Sequence, residues 1–337
     1  MQQASAENIE STSVTTPRAA FTRLRDELQR RILGQETLIE RMLIALLADG
    51  HLLVEGAPGL AKTTAIKALA AHLEGEFQRV QFTPDLLPAD LTGTDIYRPQ
   101  DGTFVFQRGP LFHNFILADE VNRAPAKVQS ALLEAMGERQ ITVGRKTYGL
   151  PHLFLVMATQ NPIEQEGTYP LPEAQLDRFL LYVRIAYPDA DAEQAILALA
   201  RAEAARETTA NYQTPEARID ESTVVAARRA VLAVHLAPGL ERYLIELVLA
   251  SREPARYDAT LARWIGWGAS PRATIALDRC ARAHAWLAGR DYVSPEDIQA
   301  VAPDVLRHRV LLSFEAEAEG VDSDRVVATL LTQVAVP

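Results

Sequence analysis

Apolar residues are spaced in two ways along the first part of the chain and in only one way along the second. From Phe21 to Ile32 and from Leu38 to Leu46 they recur at three- and four-residue intervals, which predicts two helices joined by a turn at Gly34-Gln35. Because crossover-length segments separate the short apolar runs that follow, we expect an α/β fold with a central parallel β-sheet flanked by helices. These strand-like runs are His51–Glu55, Phe77–Phe82, Phe115–Ala118, Leu153–Ala158 and Phe179–Ile185.

Two insertions interrupt this first part of the chain, and each predicts a β-hairpin. The segment at about residues 93–109 contains the alternating stretch Gly102–Phe106, and in the segment at 140–148 Gly144 separates two short strand-like runs. Beyond Pro188 the strand-like runs stop, and helical spacing continues to about residue 333. We therefore expect an α/β core at residues 17–187, an all-helical domain at residues 188–337, and a disordered tail, rich in Ser, Thr, Gln and Glu, at residues 1–16.

The charge balance and the single cysteine exclude several classes of protein. With 34 Lys and Arg against 44 Asp and Glu, the net charge is −10, so no general basic field favours nucleic acid or an anionic membrane. Cys280 alone cannot form an intrachain disulfide or a cysteine-based metal site. Since the chain has no run of about 18 apolar residues and no leader pattern at its N-terminus, we expect a cytoplasmic protein without membrane insertion.

A glycine-rich segment between the first strand and the next helix is the strongest chemical feature. From Gly56 to Thr63 it reads Gly-Ala-Pro-Gly-Leu-Ala-Lys-Thr, and in such a loop the backbone N–H groups and the helix N-terminus hold phosphate. Lys62 is expected to reach the β- and γ-phosphates of ATP, and the Thr63 hydroxyl to ligate Mg²⁺. The alternative is a chance Gly-Pro-Gly turn with Lys62 in solvent. The residues expected to contact the nucleotide here are Ala57, Pro58, Gly59, Leu60, Ala61, Lys62, Thr63 and Thr64.

One residue departs from the usual phosphate-loop pattern. The pattern G-x-x-x-x-G-K-[ST] has glycine where Ala61 stands, although Gly59 supplies another glycine two residues earlier. Because a side chain disfavours left-handed backbone conformations, we predict a negative φ at Ala61.

Two further strands end in polar residues at the edge of the sheet where parallel α/β proteins bind ligands. Asp119 and Glu120 end the third run: Asp119 is expected to hold Mg²⁺, directly or through water, and Glu120 to polarise the attacking water. The alternative for this pair is a favourable interaction with the N-terminus of the next helix. Asn161 follows the fourth run and can orient the same water, but Asn161-Pro162 is also a common start of a turn.

Taken together, four motifs resemble the MoxR family of AAA+ ATPases: Gly59–Thr63, Ala118–Ala124, Ala158–Pro162 and Gly268–Ala273. The string from Glu166 to Phe179 is similar to that family's strongest signature, and the resemblance runs from about residue 34 to residue 312. It implies an AAA+ P-loop core with a C-terminal helical lid, in which alanine before the lysine is common. It also implies that the Gly34-Gln35 segment lies against the adenine.

The resemblance gives roles to two arginines that, taken alone, favour surface ion pairs. It implies Asn161 as sensor 1, Arg178 as an arginine finger that reaches a neighbouring subunit's nucleotide, and Arg272 as sensor 2. It further implies a hexameric ring of this chain that remodels client proteins or matures metalloenzymes, often with a von Willebrand factor A domain partner. The two hairpins would then face the pore of the ring or a partner.

Three other functions fit parts of this pattern. A nucleic-acid motor of the same clade has the same hairpins, and Arg139, Arg145 and Lys146 could form a local basic rim, but the net charge argues against it. An ATPase subunit of a metal chelatase is a close relative, and the string from Glu166 to Phe179 favours MoxR over it. A scaffold that binds ATP without hydrolysing it is disfavoured by the complete set of candidate hydrolysis residues.

Overall fold

A computed structural model of the protein describes residues 16–162, 167–207 and 218–337. The expected tail therefore lies outside the described residues, except for Thr16. The Thr16 side chain accepts a hydrogen bond from the Ala19 N–H at 3.3 Å and caps the first helix. Glu166, the first residue of the signature string, also lies outside the described residues.

Strands and helices alternate up to residue 184, and helices dominate afterwards. The strands are β1 Leu52–Glu55, β2 Phe77–Gln81, β3 Gly93–Arg98, β4 Thr103–Arg108, β5 Phe115–Asp119, β6 Gln140–Val143, β7 Lys146–Gly149, β8 Leu155–Gln160, β9 Leu181–Arg184, β10 Ile265–Trp267 and β11 Leu311–Leu312. The helices are α1 Pro17–Arg31, α2 Glu36–Leu47, α3 Lys62–Ala71, α4 Pro88–Thr92, α5 Ala126–Glu138, α6 Glu173–Leu176, α7 Ala190–Glu207, α8 Glu221–Leu232, α9 Pro238–Arg252, α10 Ala259–Trp264, α11 Pro271–Leu287, α12 Pro295–Leu306, α13 Phe314–Ala318 and α14 Ser323–Gln333.

The described part of the core contains a five-stranded sheet in the order β2-β5-β8-β1-β9. All of its strand pairs are parallel, so the prediction of a parallel α/β core is confirmed. Strands β5 and β8 lie inside the sheet, and their apolar side chains are buried because helices cover both faces. The loops after β1, β5 and β8 therefore leave the sheet at one edge.

Both predicted hairpins are present in the structure. Strands β3 and β4 are antiparallel partners, and so are β6 and β7. The rings of Phe106 in β4 and Tyr148 in β7 stack, with centroids 4.3 Å apart and planes at 17°. Phe112 packs edge-on against Phe106 at 5.7 Å. The two hairpins, distant in sequence, therefore contact each other through aromatic rings.

The C-terminal region is helical, as expected, with one addition. Strands β10 and β11 form an antiparallel pair in which Ile265 lies opposite Leu312. These strands have 3 and 2 residues, which is too short for alternation to be recognised in the sequence. Helices α1 and α2 share one apolar cluster with α8, α9, α11 and α12, so the N-terminal helices pack against the lid as well as the core. Among the residues described, no helix combines the length and apolar character required to cross a membrane.

Candidate nucleotide-binding site

The loop between β1 and α3 reverses direction just before the helix. Gly59 and Ala61 both have left-handed backbone conformations, with φ of +85° and +56°, and α3 begins at Lys62. The prediction of a negative φ at Ala61 is wrong, because the turn into α3 requires the left-handed conformation despite a strain of about 1–2 kcal/mol. Turns of this kind direct successive N–H groups to one side and form an anion-binding concavity.

The Lys62 side chain lies within this loop. Its Nζ donates hydrogen bonds to the carbonyl oxygens of Gly56 and Ala57, the second at 3.3 Å. Burial lowers the pKa of Lys62, and nearby carboxylates, first that of Asp119 and then that of Glu120, oppose this effect. The ammonium group is therefore placed between loop carbonyls and acidic side chains at the end of the sheet.

The first acid at the end of β5 is held from both sides. Asp119 Oδ1 accepts a hydrogen bond from Thr159 Oγ1 at 2.6 Å. Asp119 Oδ2 accepts two hydrogen bonds from the guanidinium of Arg79, at 2.7 and 3.1 Å. Thr159 Oγ1 in turn accepts a hydrogen bond from the Glu120 N–H at 2.9 Å. The end of β8 therefore fixes both acids relative to its own strand.

The second acid has an unusual backbone. Glu120 adopts a left-handed conformation with φ 56° and ψ 50°, which is uncommon for a residue with a side chain and marks a turn or a functional constraint. Its Oε2 accepts hydrogen bonds from Gln81 Nε2 at 2.7 Å and from Arg123 Nη1 at 3.0 Å. This turn allows two adjacent acids, Asp119 and Glu120, to face the same cavity.

The loop and the strand ends enclose a cavity of about 370 Å³, which we call the phosphate cavity. Asn161, at the end of β8, is buried with 7% of its surface exposed and lines this cavity together with both acids. Residues that are far apart in the sequence therefore meet at one edge of the sheet. The complete lining is Pro58, Gly59, Leu60, Ala61, Lys62, Thr63, Thr64, Arg79, Asp119, Glu120, Thr159 and Asn161.

Sequence reasoning misses two of these lining residues, Arg79 and Thr159. Thr159 belongs to the strand end that precedes Asn161, and alternation of side chains along β8 is a signal that could have identified it. Arg79 gives no such signal, because its partner Asp119 is 40 residues away in the chain.

The predicted adenine segment lies beside the strand ends but outside the walls of the phosphate cavity. Gly34 has φ +71°, and a Cβ there would lie 3.0 Å from the Pro188 Cβ. Gln35 Nε2 donates a hydrogen bond to the Ala186 carbonyl at 3.2 Å. The segment is therefore packed against the chain that leaves β9, next to β1.

The two predicted arginines line a different cavity of about 360 Å³ between the core and the lid, which we call the arginine cavity. Arg178 Nη1 donates a hydrogen bond to the Leu133 carbonyl at 2.7 Å. Arg272 Nη1 lies 3.3 Å from Asp177 Oδ2, and 58% of the Arg272 side chain is exposed. Neither arginine lines the phosphate cavity of its own chain.

The chemistry of the phosphate cavity fits a nucleotide phosphate and a magnesium ion. Loop N–H groups and the Lys62 ammonium supply positive groups for phosphate oxygens. The Thr63 hydroxyl and the Asp119 carboxylate supply oxygen atoms, the ligands that Mg²⁺ prefers.

Comparisons with known proteins agree with this geometry. Residues 51–181 match the family described as ATPase family associated with various cellular activities (AAA). Residues 261–330 match the AAA lid domain. The fold and the site therefore define an AAA ATPase with its lid.

Individual relatives narrow this class. Chaperone MoxR1 from Mycobacterium tuberculosis is 44% identical over 98% of this chain and 85% of its own length. Protein MoxR from Methylorubrum extorquens is 34% identical over 89% of this chain and 90% of its own. The crystal structure of a candidate ATPase from Cytophaga hutchinsonii superposes with a TM-score of 0.86, at 47% identity, and covers 95% of this chain and 96% of its own. A magnesium-chelatase 38 kDa subunit from Acidiphilium rubrum is more distant, at 28% identity over 90% of this chain and 97% of its own length. The chain belongs to the MoxR family of AAA ATPases.

Proposed function

We propose that the protein hydrolyses ATP in the phosphate cavity with the help of Mg²⁺. The observation that carries this proposal is that Lys62, Thr63, Asp119, Glu120 and Asn161 line one cavity at one edge of the sheet. Loop N–H groups and Lys62 bind the phosphates, and Thr63 and Asp119 hold the metal ion. When bound, Mg²⁺ supplies positive charge beside the transferred phosphoryl group.

Glu120 and Asn161 act on the attacking water in this proposal. The Glu120 carboxylate accepts a hydrogen bond from the water and polarises it, while the Asn161 amide orients it. Thr159 bonds the Glu120 N–H from the strand that leads to Asn161, so the two groups keep a fixed spacing. Gly34 and Gln35, packed beside the end of β9, contact the adenine.

We further propose that Arg178 and Arg272 act on the nucleotide of a neighbouring subunit. Both line the arginine cavity and neither lines the phosphate cavity. A guanidinium has five N–H donors, and the hydrogen bonds described for Arg178 and Arg272 use only some of them. AAA ATPases typically assemble as rings, and a hexameric ring of this chain would bring this surface to the next subunit's phosphate cavity.

The work done by hydrolysis is, we propose, remodelling of client proteins or maturation of metalloenzymes, together with a von Willebrand factor A domain partner. The relative named Chaperone MoxR1 supports a chaperone function. The hairpin β3–β4 offers a surface for such contacts, because Ile96, Tyr97 and Phe104 are exposed by 44%, 53% and 70%.

Two substitutions test the assignment of the phosphate cavity. Lys62→Ala should abolish ATP binding, because the phosphates lose their principal positive charge. Glu120→Gln should bind ATP normally and lose turnover, because the amide cannot polarise water. Binding by fluorescent-nucleotide titration and phosphate release give both quantities. Normal hydrolysis by the Glu120→Gln protein would contradict the role of Glu120.

Mixing two inactive proteins tests the role of Arg178 between subunits. Arg178→Ala protein should bind ATP and fail to hydrolyse it. Mixed with Lys62→Ala protein, it should regain part of the activity, because an intact phosphate cavity then meets an intact Arg178 from its neighbour. A mixture of Lys62→Ala with Glu120→Gln, both altered in the phosphate cavity, is the matched control and should stay inactive. No recovery in the first mixture would contradict action between subunits.

A further inference from the structure

Trp267 is an exposed aromatic residue that the fold itself does not explain. It is the last residue of β10, and 73% of its surface is exposed, whereas Trp264 and Trp286 are buried with 7% and 2% exposed. The chain has 3 tryptophans, so Trp267 is the one that meets solvent in the isolated chain. Large exposed aromatic side chains are enriched at protein interfaces.

Local hydrogen bonds fix the segment that follows Trp267 at the rim of the arginine cavity. The Ala269 N–H donates to Ser251 Oγ at 3.0 Å, and the Ala269 carbonyl accepts from Arg252 Nε at 2.7 Å. Ser270 Oγ then donates to Asp177 Oδ2 at 2.9 Å, and Asp177 is a wall of the cavity. Ser270 follows Trp267 by three positions, which limits the distance between their Cα atoms to roughly 10 Å.

The helix that follows continues this surface. Arg272, Ile275, Ala276 and Arg279 are spaced as residues of one face of α11, and all four line the arginine cavity. Ile275 is 54% exposed although it is apolar. Arg279 makes no hydrogen bond or ion pair with any other residue that the structure describes. The face therefore combines apolar side chains with arginines whose donors are largely unused.

A second copy of this chain is the occupant that fits such a surface. Its arginines carry unused N–H donors that suit an anion, and the chain's own phosphate cavity has different walls. A triphosphate held by a neighbouring copy supplies that anion, and the chain as a whole is acidic, with a net charge of −10. Ile275 lines the cavity together with these arginines, and Trp267 lies only three positions before Ser270, so a copy that brings its nucleotide to Arg272 comes close to both.

We propose that Trp267, Ile275 and Arg279 form a docking surface for a second copy of this chain, with Trp267 as its apolar anchor and the nucleotide-bearing face of the neighbour as its partner. This rests on the proposed action of Arg178 and Arg272 between subunits. It adds a contact on the lid that does not itself touch the phosphates. Burial of an aromatic anchor of this kind contributes enough to binding for its removal to weaken assembly roughly 30-fold.

The fluorescence of the protein's own tryptophans tests this proposal. With Mg²⁺ and the non-hydrolysable analogue AMP-PNP, assembly is followed by sedimentation velocity. In the same samples the tryptophan emission should shift to shorter wavelength and become less accessible to acrylamide, because Trp267 leaves solvent. Trp267→Phe protein should assemble without this change, since its remaining tryptophans are already buried.

Alanine variants measure the contribution to assembly. Trp267→Ala should raise the protein concentration needed for half-assembly by roughly 30-fold. Arg279→Ala should raise it less, and more strongly at low salt than at high salt. Tyr292→Ala is the matched control: Tyr292 is 53% exposed but lies beyond the far end of α11, so its loss should leave assembly unchanged. Circular dichroism confirms that each variant is folded, which is expected because all three side chains are exposed.

The outcomes of these experiments distinguish the proposed docking surface from the proposed ring assembly. Suppose that the protein assembles, but Trp267 stays equally accessible to acrylamide and Trp267→Ala assembles like the wild type. The proposal of the docking surface is then wrong, and the proposal of the ring is unaffected. If nucleotide produces no assembly at all, both the docking surface and the proposed ring are wrong.

Discussion

Two residues with side chains at the phosphate cavity, Ala61 and Glu120, have left-handed backbones. Each such residue costs about 1–2 kcal/mol relative to the right-handed region. Ala61 directly precedes α3 and Glu120 directly follows β5, so each lies where the chain turns along the cavity wall. These strained conformations direct loop N–H groups and the Glu120 carboxylate into one cavity. Backbone strain of this kind is common at functional sites.

Replacing Ala61 by glycine should relieve the strain at that position. We expect Ala61→Gly to raise the free energy of unfolding by roughly 0.5–1 kcal/mol, because the relief exceeds the greater freedom of glycine in the unfolded chain. ATP binding should be retained. Urea unfolding measures the change. Ala198→Gly, in the exposed interior of α7, is the control and should destabilise the protein by about 1 kcal/mol. A loss of stability in Ala61→Gly would contradict the strain argument.

A second prediction at the residue scale concerns His51, which is buried directly before β1. Its Nδ1 accepts a hydrogen bond from the Val156 N–H at 3.1 Å, so the neutral ring is the form that fits. Burial, reinforced by the charge of Arg139, lowers the pKa of His51 from its ordinary value of 6.5 to about 4.

Stability should therefore depend on this histidine in mildly acidic solution. Between pH 6.5 and pH 4 the unfolded chain binds a proton at His51 and the folded chain does not, so the free energy of unfolding falls as the pH falls, by up to about 3 kcal/mol. Below pH 4 this contribution stops changing. Buried His308 adds a slope of the same sign, so the quantity to measure is the difference between wild type and His51→Asn in urea unfolding across this range. Equal slopes in the two proteins would contradict the prediction.

At the scale of elements, the sequence predicts what depends on local periodicity and misses what depends on distant partners. The strands of the sheet and both hairpins follow from apolar spacing and turn residues. The pair β10–β11 could not be predicted, because strands this short carry no periodic signal. The bond between Arg79 and Asp119 could not be predicted either, since it depends on the order in which β2 and β5 pair. The roles of the site residues stay predictions.

The aromatic stack between the two hairpins leads to a prediction about how these elements are coupled, which no sequence pattern indicates. Tyr148→Ala removes the stacked partner of Phe106, an interaction worth about 1 kcal/mol. We expect hydrogen exchange in the other hairpin, residues 93–109, to become about fivefold faster. Thr142→Ala is the control, because Thr142 contacts Thr147 within its own hairpin. Equal exchange at residues 93–109 in both variants would show that the hairpins are independent.

At the scale of the whole molecule, a buried ion pair between Arg309 and Asp177 joins the lid to the core. Arg309 is almost fully buried, with 3% of its side chain exposed, and its Nε donates to Asp177 Oδ1 at 2.8 Å. Asp177 Oδ2 accepts from Ser270 Oγ, at the start of α11, at 2.9 Å. Burial lowers the pKa of Arg309 and the Asp177 carboxylate opposes this effect. Asp177 therefore holds Arg272 of the lid beside Arg178 of the core.

A double-mutant cycle tests whether this pair joins the two parts as a unit. Asp177→Ala leaves the Arg309 cation buried without its acid and should lower the free energy of unfolding by about 3–5 kcal/mol. Arg309→Met leaves Asp177 partly exposed and still paired with Arg272, so it should cost less. The double variant should be more stable than the sum of the two losses predicts, because the second substitution removes the charge that the first left unpaired. Urea unfolding gives all three values, and additive losses would mean that Asp177 and Arg309 stabilise the lid independently of each other.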